Sequence, residues 1–243
     1  MKKRNLVLSV MATCLVSCFL LSGCNGQKQI DSETVKTVKV EEQAHLQDDT
    51  VSPTCQITID YSYLAKSDAA DSIVQRINRT IQAHILGKEY TRMNPEVAVD
   101  SFKNTYINNY RKDVNEFYQE DIKNGTPKDE LPTWYNYEYG LTTYFSEGKE
   151  GILNFIAETF EYTGGAHPNS WNKWMNFEKN TGKLLALKDV FMAGSEKPIS
   201  DMLLEELITE MATRLEDSSI TSLEGLQNAG ILNSTNMLSL IHI

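Results

Sequence analysis

Between Thr126 and Trp134 the apolar residues of this 243-residue chain change their spacing from three or four to two. Before the change, Ile73, Val74, Ile77, Ile81 and Ile85 recur at helical spacing. Phe102, Tyr106, Tyr110, Val114, Phe117 or Tyr118, and Ile122 then do the same. After it, Trp134–Ser146, Ile152–Thr163 and Trp171–Phe177 read as strands rich in Tyr, Thr and Phe. A run of helices followed by a run of strands, without βαβ alternation, gives an α+β fold. The expected architecture is an antiparallel sheet meander packed with two to three helices.

Local signals refine this. Cys55–Leu64 alternates, with Ile57, Ile59, Tyr61 and Tyr63 on one face of a half-buried strand. Ser67 or Asp68 caps a helix that runs to about Leu86 and is closed by Gly87; His84 in its last turn has a structural role there. Asn94 and Pro95 open a second helix that reaches Gly125. At about 45 Å it is too long for a small domain, so a bend or break is expected. Its aromatic stripe reads as core. Glu147–Gly151 is a hairpin loop, and Lys179-Asn180-Thr181-Gly182 is a second turn with positive φ at Gly182. Lys183–Leu187 is the last strand, Lys188–Phe191 a helical turn, and Pro198–Leu215 a third helix.

The first 23 residues form a leader: Lys2, Lys3 and Arg4, then an apolar run from Leu6 to Leu21. Leu21-Ser22-Gly23-Cys24 resembles a bacterial lipobox, which makes Cys24 the lipidation site and the membrane, through that anchor, a partner. The expected location is the cell envelope, on the outer membrane or the periplasmic face. Residues 24–52 read as a polar tether. Residues 53 to about 220 are enough for one sizeable core or two small lobes. Loss of the leader takes the formal net charge from −10 to −13. Such a chain disfavours nucleic acid and suits a cationic partner. Cys55 is the lone cysteine left and is expected to be buried. No Cys/His cluster suggests a metal, and no cofactor is implied.

The run TGGAH at 163–167, NTGK at 180–183 and LKDVF at 187–191 resemble a set of bacterial exported domains. These are the paired domains of unknown function found in the lysozyme-binding anti-sigma factor of the sigma-V system. They also occur beside the catalytic domain of a peptidoglycan N-acetylmuramic acid deacetylase. Stand-alone lipoproteins of this type are similar to ones common in gut Bacteroidetes. The resemblance implies an amino-terminal module over 53–145 and a carboxy-terminal one over 146–243, an α+β fold, no catalytic group inside the domain, and a lysozyme-like or peptidoglycan ligand. The deacetylase's metal-binding Asp and His motifs have no counterpart here. Such domains usually end in further aromatic-rich strands. Leu238–Ile243 does not match them, so a truncated end with an unpaired sheet edge is expected.

The candidate binding or fold-signature residues are Gly164, Gly165, His167, Trp171 and Trp174. The glycines permit a bulge, and His167 is expected to hold the loop by bonding backbone carbonyls. A His167–Ser170–Asp189 trio is available on paper only. Trp171 and Trp174, three apart in a strand, face opposite sides; one is expected in the core and the other exposed to stack on a sugar or a partner. Glu158 and Glu161 also face opposite sides, against a paired-carboxylate glycosidase. The expected function is non-catalytic binding of a protein or cell-wall glycan. The alternatives are an envelope hydrolase or deacetylase with an unrecognised site, or an accessory subunit of an envelope complex.

Overall fold

A computed structural model describes residues 35–65 and 71–232. Six strands form one sheet in sequence order: β1 (Val35–His45), β2 (Thr54–Leu64), β3 (Tyr137–Glu147), β4 (Ile152–Tyr162), β5 (Asn169–Glu178) and β6 (Lys183–Leu184). Every neighbouring pair is antiparallel except β2 and β3, which run parallel from Cys55↔Tyr137 to Asp60↔Thr142. That parallel pairing needs a long crossover. The helices α1 (Asp71–Ile85) and α2 (Pro95–Lys123) supply it and pack on one face of the sheet. The chain is therefore α+β with a mostly antiparallel sheet.

The alternation of 55–64 has its expected result: Ile57, Ile59 and Tyr61 are fully buried and Tyr63 nearly so. They meet Val74, Ile77 and Ile81 of α1 and Val99, Ile107, Tyr110 and Val114 of α2, with Leu141, Phe155 and Phe177 from the meander. Buried amides close the joints. Asn78 Nδ2 donates to the Leu64 carbonyl at 2.8 Å, and the Leu64 N–H donates to Asn78 Oδ1 at 3.0 Å. The α1 segment thus satisfies the end of β2 as a further strand would. Cys55 is buried, as expected, and burial pushes its thiol up to about 12.

Three sequence expectations are corrected here. Residues 35–52 are not tether. Val35–His45 is an eleven-residue edge strand paired along its whole length with β2, and Val38, Val40 and Ala44 turn to the helices. The apolar half of its alternation is thin, so composition hid a strand that its partner completes. Second, α2 does not break: it is one continuous helix of 29 residues. It holds no internal Gly or Pro, and its far half is fastened to segments distant in sequence: Arg111 Nη2 donates to the carbonyl of His45 at the end of β1 at 3.2 Å, and Tyr135 Oη donates to Asp121 at 2.7 Å. Third, β3 crosses the boundary set between modules at 145 and 146, and one sheet and one core serve both sides of it.

Smaller differences follow. The last strand is two residues long because the chain turns into α3 (Leu187–Val190). The third helix, α4 (Glu196–Arg214), does not enter the main core. It packs with a short α5 (Leu223–Asn228) around Ile220, Leu226 and Leu232. His84 is held below its ordinary value by burial first, with Lys173 and Lys88 adding to the effect, which disfavours a charge at the end of α1. The cap placed at Ser67 or Asp68, the leader, Cys24 and Leu238–Ile243 lie outside the described residues.

Candidate functional site

Gly164 and Gly165 interrupt the meander as expected, between the end of β4 and the start of β5. They differ in role. Gly164 has φ 82°, and a Cβ there would lie 2.3 Å from the Trp134 carbonyl oxygen. Gly165 has no such contact; the nearest atom to its Cβ position is 3.8 Å away. The loop is therefore pressed onto Trp134, whose ring lies against Tyr135, tilted by 44° with centroids 3.8 Å apart.

His167 does not hold the loop. It is exposed, and its imidazole shares no hydrogen bond with the described residues. The paper trio with Ser170 and Asp189 is not assembled, because Asp189 is engaged elsewhere. Its carboxylate takes Lys183 Nζ at 2.5 Å and the Ala186 N–H at 2.9 Å, which together hold its carboxyl below the ordinary range. Among the described residues no cluster of three or more His, Cys, Asp or Glu is placed to hold a metal.

Glu158 and Glu161 stand on opposite faces, as their spacing requires. Glu161 accepts from Tyr106 Oη at 2.9 Å on the helix side, and Glu158 accepts from Tyr144 Oη at 3.0 Å on the other. The tryptophans also face opposite sides, but neither enters the core: Trp171 is 46% exposed and Trp174 42%. Trp171 lies on the helix side, in register with Thr159, beyond the cover that α1 gives. Lys173, the next residue on that side, reaches the His84 carbonyl at 3.4 Å.

Trp174 lies on the face opposite α1 and α2, which no helix of the described residues covers. There the ladders set Tyr144, Ile156 and Trp174 side by side across β3, β4 and β5. Strands about 4.8 Å apart put the two aromatic positions about 10 Å from each other. Ile156 between them is only 4% exposed although it belongs to neither apolar core, so its flanking aromatics cover it. The next rows hold Thr142, Glu158 and Asn172 on one side and Ser146, Asn154 and Asn176 on the other. Sequence spacing predicted an exposed tryptophan but missed this row, because register across three strands is not visible in any one of them.

Comparisons with known proteins support the resemblance read from the sequence. Residues 50–170 match a family model described as deacetylase PdaC. A crystal structure of a DUF3298-family member from Bacteroides fragilis superposes with a TM-score of 0.70 at 26% identity, covering 83% of this chain and 75% of that one. A DUF3298-family protein from Pseudomonas aeruginosa gives a TM-score of 0.47 at 14% identity, covering 75% and 70%. No curated protein matches. The chain thus resembles the PdaC domain over residues 50–170, and its fold is similar to that of the Bacteroides fragilis DUF3298-family structure.

Proposed function

We propose that this chain is a lipid-anchored cell-envelope protein, held by Cys24, whose domain binds a cell-wall glycan or a lysozyme-like protein without catalysing a reaction. The observation that carries this is the exposure of both β5 tryptophans, one on each face of the sheet. Indole rings left in water do little for the fold, and aromatic residues of this kind are the usual anchors of binding surfaces. The carboxylates nearby are bonded to tyrosine hydroxyls rather than paired with each other. The formal net charge of −10 favours a basic ligand such as lysozyme.

The second reading, an envelope deacetylase or other hydrolase, rests on the description of the matched family model. One experiment separates the two. The full chain is tested for retention of lysozyme and of peptidoglycan fragments, and for release of acetate from acetylated muropeptides with and without chelator. Retention without release supports binding. Chelator-sensitive release overturns it, and so does failure to retain either ligand.

A further inference from the structure

We infer that the helix-free face of β3, β4 and β5 is a platform for an uncharged chain of pyranose sugars, with Tyr144 and Trp174 as its two stacking positions. This names the ligand class for the binding reading above and rests on it. Three observations converge. The first is the row itself: two half-exposed aromatics flank a buried isoleucine, so the middle of the face is apolar and dry while its ends offer π-surfaces. A pyranose ring has one face of C–H groups that can lie on such a surface and a rim of hydroxyls that must be hydrogen-bonded.

The second observation is what lines the row. Asn154, Asn172 and Asn176 point to the same face, and their side-chain amides make no hydrogen bond to any described residue. Each amide can both donate and accept, as sugar hydroxyls and acetamido groups do. Glu158 is the only carboxylate in these central rows. The Tyr144 hydroxyl orients it at 3.0 Å, and its second oxygen remains available to a sugar hydroxyl.

The third is charge. The ionised groups on this face of the three strands are Glu138, Glu158 and Glu178, with no lysine or arginine among them. Phosphate-rich or uronic polymers and nucleic acid would be repelled, whereas a neutral N-acetylated glycan would not.

Phe117 supplies the control, since it is an exposed aromatic on α2, away from this face. Intrinsic fluorescence and calorimetry of the full chain with an N-acetylglucosamine hexamer test the inference. The expected result is saturable binding that Trp174→Ala and Tyr144→Ala each weaken, the first by about tenfold or more, while Phe117→Ala leaves it unchanged. Circular dichroism melts confirm that each variant is folded. Binding that Trp174→Ala leaves unchanged overturns the inference. A chain that retains lysozyme or peptidoglycan but ignores the hexamer overturns it and leaves the broader binding reading standing. A chain that binds none of the three sinks both.

Discussion

The Cα of Gly164 rests against the carbonyl oxygen of Trp134, so close that a Cβ would sit 2.3 Å from that oxygen. This contact, rather than His167, fixes the loop between β4 and β5. Gly164→Ala adds a backbone clash to a φ of 82°, and a loss of about 2–3 kcal/mol in urea unfolding is expected. Gly165→Ala and His167→Ala touch nothing comparable and should stay within about 0.5 kcal/mol of the parent.

Among the described residues, the buried hydroxyls of Tyr61 and Tyr110 have no hydrogen-bond partner. Each is held by its ring in the main core, where an unpaired hydroxyl costs free energy. Tyr61→Phe and Tyr110→Phe should therefore be neutral or stabilise by up to about 1 kcal/mol. Tyr106→Phe, which removes the donor to Glu161 at 2.9 Å, should destabilise by about 1 kcal/mol. Denaturant midpoints for the three variants check the ordering.

Stability should fall off at both ends of the pH scale, for different groups. Lys128 first, and then the Ser52 N–H, hold the Asp49 carboxyl well below its ordinary 3.8. The hydroxyl and N–H of Ser219 lower Asp217 in the same way. Carboxyls depressed on folding contribute stability that is present above pH 3.8 and lost as the pH falls through their folded values. At the other end, burial first, and then bonds to Glu96 and Asp121, push Tyr63 and Tyr135 from 10.0 up to about 12. Their contribution is present below pH 10 and lost as the pH rises toward 12. Urea midpoints across this range should show an acid limb that Asp49→Asn shallows and an alkaline limb that it leaves alone.

The Cys55 thiol is fully buried, and burial pushes it up to about 12, so almost no thiolate exists at pH 8. A disulfide reagent should label it only at the rate at which the chain opens. Labelling should become immediate in denaturant. Rapid labelling of the native chain would mean that the β1–β2 end of the core is open to solvent.

Much of the architecture was legible because periodicity survives wherever one face is buried. Ile57, Ile59 and Tyr61 showed their strand, and Phe102, Tyr106 and Tyr110 their helix. Val35–His45 was missed because five of its eleven residues are charged or are histidine, and its apolar half meets only the margin of the helices. The unbroken length of α2 was hidden because the segments that support its far half, around His45 and Tyr135, are distant in sequence. The candidate platform was half legible. Alternation placed Trp171 and Trp174 on opposite sides, but the row with Tyr144 depends on the pairing of three strands.

The single parallel ladder, between β2 and β3, bears on how the chain reaches this state. The β1–β2 hairpin and the β3–β4–β5 meander are each closed by short turns, and each can zip up locally within microseconds. Joining them requires closing a loop of roughly seventy residues that contains both long helices. The costly loop closure is therefore the one that brings Ile57 to Tyr139 and Ile59 to Leu141. Without that seam, β2 and β3 would each present a bare edge to solvent, so the one parallel ladder is also what keeps the two halves from pairing with other chains.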